Sequence, residues 1–240
     1  MKTIDQLKVQ LFADGADIQG MLEMYRLPYI KGFTTNPTLM RKGGIADYEA
    51  FARQVLEHIT DRPISFEVFS DEFSVMARQA RKIAAWGANV FVKIPVTNTR
   101  SESSEELIRS LVSEGIRLNV TALMTPNQVR VVSRALGSGV RSYISVFAGR
   151  IADSGREPGP LMKEALDIMA PFGNQQLIWA SPRELLDIIH ADDIGCHVIT
   201  VTHDILRKLP LIGKDLTAFS LDTVKMFHSD AKAAGYDLRT

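Results

Sequence analysis

The chain has 240 residues, 45% of them hydrophobic, which is enough for one large core and short of what two ordinary domains need. Its 28 basic and 28 acidic residues balance, so no global field favours nucleic acid or an anionic membrane, and any anionic ligand must be held by a local site. A single cysteine, Cys196, excludes an internal disulfide or a multi-cysteine metal site and suits a reducing compartment.

The opening MKTIDQLKVQLF turns charged before it builds an apolar run, so no signal peptide is expected. No stretch reaches membrane-spanning length, and the expectation is a soluble cytoplasmic protein. In chain order, eight apolar runs bounded by turn residues predict strands: QLFAD (10–14), GFTTN (32–36), ISFEVF (64–69), NVFVKIPV (89–96), RLNVTALM (117–124), SYISVFAG (142–149), QLIWAS (176–181) and HVITVT (197–202). Between them, apolar residues at three- and four-residue spacing predict helices, among them 47–59, 72–86, 104–115 and 159–170. GREPG (155–159) reads as a loop, and the segment from 219 to about 235 as an additional C-terminal helix ending near Gly235.

Strand, helix, strand at this repeat means parallel pairing through right-handed crossovers. Eight such units fit an α/β fold, a single (β/α)8 TIM barrel domain over 1–240, whose closure removes the liability of open sheet edges. A doubly wound open sheet fits less well. No GxGxxG follows the first strand, and the polar residues are spread over all the strands instead of meeting at one crevice.

Barrel enzymes build their active sites at the C-terminal strand ends, where the unusual residues of this chain fall. Asp14 closes the first strand and Thr34, Thr35 and Asn36 the second, with Glu67 near the end of the third. Lys93 is on the fourth, Asn119 and Thr121 on the fifth, Ser145 and Arg150 belong to the sixth and its loop, and Ser181 and Arg183 follow the seventh. Each has a plain structural reading alone: Asn36-Pro37 as a turn or helix start, Thr121 as a β-branched strand filler, Arg183 as a solvated first-turn residue. Together they would place one amine, two carboxylates, hydroxyls, amides and two arginines at a single mouth.

Lys93, in VFVKIPVT, is the most informative of them. Burial disfavours an ammonium ion, and a neutral lysine amine attacks carbonyl carbon to form a Schiff base. The other reading puts Lys93 on an edge strand or at a strand end, snorkelling to water. A lysine imine of a ketose makes an electron sink at C2, so the C3–C4 bond breaks once a base removes the C4 hydroxyl proton. One carboxylate suits that task, and a second with a hydroxyl suits the proton transfers of imine formation and hydrolysis. Arginines would hold a phosphate by paired, charge-assisted hydrogen bonds. His58, His190, His203 and His228 fall in helix-like segments and His197 opens a strand at the far end, so neither a catalytic metal nor another cofactor is expected.

From about Leu11 to Gly235 the motifs LFADGAD, GFTTNPTL, FEVF, VFVKIPVT, GIRLNVTAL, ISVFAGRI, WASPR and ITVTHDIL occur in the order of the transaldolase family, whose short subfamily the chain resembles. That subfamily also contains fructose-6-phosphate aldolases. The resemblance implies Lys93 as the Schiff-base lysine and Asp14 as the proton-transferring aspartate, with Glu67 and Thr121 holding the catalytic water. It implies substrate contacts at Asn36, Asn119 and Ser145, a subfamily-determining Phe147, and phosphate contacts at Arg150, Ser181 and Arg183. Fructose-6-phosphate aldolases typically carry glutamine and tyrosine where this chain has Glu67 and Phe147, so the resemblance is to the transaldolases. It further implies sugar-phosphate substrates in pentose-phosphate carbohydrate metabolism, and a homo-oligomer, pentameric or decameric, joined through C-terminal helices. Two departures stand out. Pro182 replaces an aromatic residue usual between the serine and the arginine, at what reads as a helix N1 position, and NTRSESSEE (98–106) is a longer loop expected over the mouth.

Overall fold

In the computed structural model, which describes residues 2–238, eight parallel strands close into one barrel in sequence order, the last pairing with the first. They are β1 (Gln10–Asp14), β2 (Ile30–Thr34), β3 (Ile64–Glu67), β4 (Val90–Pro95), β5 (Leu118–Leu123), β6 (Ser142–Val146), β7 (Gln175–Trp179) and β8 (Val198–Thr202). The helices are α1 (Ile18–Tyr25), α2 (Pro37–Lys42), α3 (Tyr48–His58), α4 (Phe73–Ala84), α5 (Glu105–Ser113), α6 (Pro126–Leu136), α7 (Ala148–Asp153), α8 (Gly159–Met169), α9 (Leu186–Asp193), α10 (His203–Leu206) and α11 (Leu216–Ala233). The closed sheet is the barrel expected from the repeat. The ends of the expected 1–240 domain, Met1, Arg239 and Thr240, lie outside the described residues.

Several boundaries move for local reasons. The second strand begins at Ile30 and stops at Thr34, because Asn36 leaves the strand to cap α2: its Oδ1 accepts from Leu39 N at 2.9 Å, with Pro37 in the first helical position. The sixth strand stops at Val146, and Phe147 begins the turn into α7. The last helix starts at Leu216, earlier than the apolar pattern suggests, since Asp215 caps it by accepting from Ala218 N at 2.9 Å. It ends before Gly235, which takes φ 67°. Gly159 begins α8, where the helical spacing over 159–170 puts it, so the GREPG loop ends at Pro158.

The main core lies between the outer faces of the strands and the helices, where Phe33, Phe66, Ile94, Leu111, Val132 and Trp179 are buried. A second, smaller core fills the barrel interior. Phe12, Phe91, Tyr143, Ile178 and Val198 all point inward there, with Tyr143 5.6 Å from the Phe12 ring and 4.5 Å from the Phe91 ring. Gly32 is required beside this plug: a Cβ on it would sit 2.5 Å from the Phe12 ring. Below it, Arg141 donates to Tyr143 OH at 3.1 Å, and the Arg117 guanidinium lies 5.3 Å from the Phe91 ring centre.

Candidate active site

Strand side chains alternate between faces, so the residue two positions beyond each plug residue also points inward, one storey nearer the C-terminal mouth. Those residues are Asp14 after Phe12, Lys93 after Phe91, Ser145 after Tyr143 and Thr200 after Val198. They open on a cavity of about 430 Å³ whose lining includes Asp14, Thr34, Asn36, Glu67, Lys93, Thr121, Ser145, Phe147, Arg150, Ser181, Pro182 and Arg183. That volume suits a small metabolite.

Lys93 is the fourth residue of β4 and only 7% exposed. The strand-edge alternative does not apply, because a closed barrel has no edge and Glu67 of β3 and Asn119 of β5 flank Lys93 in register. Its Nζ lies 3.3 Å from Glu67 Oε2 and donates to the Thr35 carbonyl at 3.2 Å. Glu67 is itself braced from the main core. Tyr48 OH accepts from Glu67 N at 2.7 Å and donates to Glu67 O at 3.1 Å, and burial raises the Tyr48 pKa so that it stays a phenol.

Asp14 ends β1, paired in register with Thr34 and Thr202. Its Oδ1 accepts from Thr34 Oγ1 at 2.7 Å and its Oδ2 from Asn36 Nδ2 at 3.4 Å. Thr34 Oγ1 also makes a very short contact with Thr200 Oγ1. Burial pushes the Asp14 carboxyl above the usual carboxylate range, opposed by the charge of Lys93, the Thr34 hydrogen bond and His203.

Around these charges the polar residues take different stations. Thr121 Oγ1 is buried and has no hydrogen-bond partner among the described residues, next to a register shift in β5 where Ala122 takes φ 67°. Asn119 does not line the cavity. It is fully buried beneath it, donating to Ser65 Oγ at 3.0 Å and accepting from Ser145 Oγ at 2.7 Å, so it holds Ser145 in place from below. Arg150 is exposed on α7, its guanidinium 5.2 Å from the Phe147 ring centre. Arg183 reaches Asp153, with Nε donating to Oδ1 at 3.0 Å and Nη2 to Oδ2.

Two expectations for this rim are corrected. Pro182 is not at a helix N1 position and Arg183 is not in a first turn, because α9 begins only at Leu186. The intervening loop is held by Asp187, whose Oδ2 accepts from Arg183 N at 2.6 Å and Glu184 N at 3.1 Å. Ser181 takes φ 61°, and a Cβ at Gly149 would lie 1.6 Å from its carbonyl oxygen, so only glycine allows α7 to start so close to this loop. The long 98–106 loop does not reach the cavity lining. Arg100 pins it to the β3–α4 loop through Asp71 at 3.2 Å and Glu72 at 2.9 Å, and Glu105 and Glu106 belong to α5.

A transaldolase/fructose-6-phosphate aldolase family model matches residues 11–239, nearly the whole chain and every residue of this cavity. The chain belongs to the transaldolase/fructose-6-phosphate aldolase family. It is 32% identical over 218 residues to a probable transaldolase of Dehalococcoides mccartyi, covering 89% of this chain and 97% of that one. It is 34% identical over 227 residues to a probable transaldolase of Thermoplasma volcanium, covering 91% and 96%. A solved mandelate oxidase variant with an FMN adduct superposes with a TM-score of 0.56 over 84% of this chain and 67% of that chain, at 12% identity, a likeness of fold alone.

For a member of the transaldolase/fructose-6-phosphate aldolase family, the residues that sequence reasoning passed over are as informative as those it named. Tyr48 begins a helix and gives no sign from spacing that its hydroxyl braces Glu67 across the barrel wall. Thr200 hides in an apolar strand, and His203, the first residue of α10, sits at the top of β8 against Gly15. Among the described residues, no three His, Cys, Asp or Glu side chains lie close enough to hold a metal ion, and no helix is long and apolar enough to cross a membrane.

Proposed function

We propose that the chain is a class I, Schiff-base transaldolase that transfers a dihydroxyacetone unit from a ketose phosphate to an aldose phosphate without a cofactor. One observation carries this reading. Lys93 Nζ is almost sequestered from water yet lines the cavity, with Glu67 3.3 Å away and Asp14 on the facing strand. Nothing in a barrel core needs a lysine there.

The chemistry follows from the stations of the side chains. Lys93 must be neutral to attack the C2 carbonyl, and Glu67 is the nearest base to take its proton. Loss of water from the carbinolamine gives the iminium. Asp14, ionised, takes the proton of the C4 hydroxyl, the C3–C4 electron pair moves into an enamine at C2, and the aldose phosphate leaves. The enamine then attacks an acceptor aldehyde, Asp14 returns the proton, and water held by Glu67 and Thr121 releases the new ketose. Asn36 and Ser145 bind sugar hydroxyls, with Asn119 acting through Ser145. Arg150, Ser181 and Arg183 hold the phosphate near the last two strands, a common place for phosphate in this fold.

The second reading, release of free dihydroxyacetone, is kept alive by the aldolases within the same family. Phe147 weighs against it, since a phenyl ring offers no hydroxyl to hold or protonate a water near the enamine. A further alternative, a transaldolase acting on another anionic sugar analogue, rests on Pro182 standing beside Arg183 where an aromatic residue is usual. The proposal also includes a cytoplasmic enzyme of pentose-phosphate metabolism that assembles through α11. None of that helix's described side chains is buried, and Leu216, Leu221, Val224 and Phe227 are exposed. The test is borohydride trapping with ketose phosphates, followed by product analysis at fixed acceptor concentration. A reduced three-carbon adduct on Lys93 and transfer product in excess of free dihydroxyacetone are expected. Phe147→Tyr and Glu67→Gln should each shift the ratio toward free dihydroxyacetone.

A further inference from the structure

The mechanism above leaves one half-buried titratable side chain beside the mouth, His203, without a task. His203 follows Thr202, the residue paired in register with Asp14, and its ring lies over the β1–α1 turn. A Cβ on Gly15 would come 2.9 Å from His203 Nε2, and a Cβ on Gly20 would come 2.8 Å from Nδ1. A side chain at either position would push the imidazole out of this seat. His203 Nε2 is buried and has no hydrogen-bond partner among the described residues. A core histidine kept only to fill space would normally satisfy that nitrogen.

We propose that His203 is a positioning residue for Asp14: its imidazole, seated on Gly15 and Gly20, fixes the turn that aims the Asp14 carboxylate and brings a titratable ring to it from the start of α10. The inference rests on the reading of Asp14 as the base. The charged groups that act on the ring are Asp14 at the end of β1, Asp17 and Glu23 on the α1 side, and Arg207 from beyond α10. Burial, with help from Arg207, holds the imidazole below its ordinary range, so it is neutral at pH 8 and gains a proton only in acid. Asp14 titrates above its ordinary range, so the two transitions approach each other. A proton on His203 then favours the ionised, basic form of Asp14 where protonation would otherwise silence it.

His203→Phe keeps a ring over Gly15 and Gly20 but cannot ionise. The ratio of kcat at pH 5 to kcat at pH 8 should fall by about threefold against the unmodified enzyme, because a charge that favours the ionised Asp14 in acid has been removed. His203→Ala, which also removes the ring, should lower kcat at both pH values while KM for the donor changes less. A second measurement does not depend on turnover. The imidazole C–H resonance of His203, followed by NMR, should titrate at lower pH in Asp14→Asn than in the unmodified protein, because a negative neighbour has been lost. Superimposable pH profiles for His203→Phe and the unmodified enzyme, or an unmoved His203 titration in Asp14→Asn, would overturn the proposal. If no ketose phosphate traps Lys93, the transaldolase reading fails by itself, while the NMR coupling still decides whether His203 and Asp14 act as a pair.

Discussion

The barrel interior has two storeys built from the same strands, and they are made for opposite purposes. The lower holds Phe12, Phe91, Tyr143, Ile178 and Val198, apolar and closed. The upper, two residues further along, holds Asp14, Lys93, Ser145 and Thr200, with Glu67 and Thr34 beside them. Burying rings is favourable, whereas burying an ammonium and two carboxylates costs solvation that their pairing only partly returns. The lower storey therefore stabilises the barrel and sets the floor, and the upper spends part of that stability to keep charges where water would otherwise screen them. The contrast is between neighbouring positions on one strand, as Phe91 and Lys93 show, so single substitutions test it directly.

The largest expected effect is at Lys93. Lys93→Ala should abolish the borohydride adduct and transfer activity while the protein stays folded, since the apolar storey beneath it is untouched. An adduct mapped by peptide mass to another lysine would remove Lys93 from its role. Phe91→Ala should do the reverse, costing about 3–5 kcal/mol of stability through the cavity it leaves, read as a lowered urea midpoint. A stability loss at Lys93 as large as that at Phe91 would erase the division between the storeys.

Next in size is Asp14→Ala, which should still trap a Schiff base on Lys93 but slow C3–C4 cleavage by about a hundredfold or more, the usual size of a lost general acid or base. Near-normal turnover would reject the assignment. At the rim, Arg150→Ala should weaken use of phosphorylated donors by about tenfold or more, the size of a lost hydrogen bond to a charged group, and leave unphosphorylated analogues less affected. Arg183→Ala should cost less than Arg150→Ala, because its guanidinium is already engaged by Asp153. Equal losses on both kinds of donor would mean a folding defect instead.

The smallest effect is a shift of pH profile. In the proposed mechanism Asp14 acts as a base only when ionised, and its pKa is raised, so activity should be lost as pH falls through that raised value. The Thr34 hydroxyl donates to the carboxylate and opposes the rise. Thr34→Val should therefore move the acid limb of kcat to higher pH, with the alkaline side little changed. A limb that stays in place or moves to lower pH would show that the Thr34 hydrogen bond does not tune the base.

The barrel and much of the upper storey were legible in the pattern of residues alone. Apolar runs alternating with helical spacing can close only as parallel strands joined by crossovers, and period-two alternation puts Asp14, Lys93 and Ser145 on one face whatever the details of packing. The pattern also marked Asn36-Pro37 as a turn or a helix start, the second of which holds, because capping is a local interaction. What depends on the distance between strands far apart in the chain was set by the folding of the barrel. The family resemblance implies a substrate contact at Asn119, and the fold seats it beneath the cavity between Ser65 and Ser145, which no spacing along the strand reports. Pro182 looked like the start of a helix, but the Asp187 carboxylate gathers the loop and delays α9 to Leu186. Tyr48 under Glu67 and His203 over Gly15 left no periodic trace at all, since each acts through a single contact across the fold, and periodicity reports which face a residue occupies, not which atom it meets there.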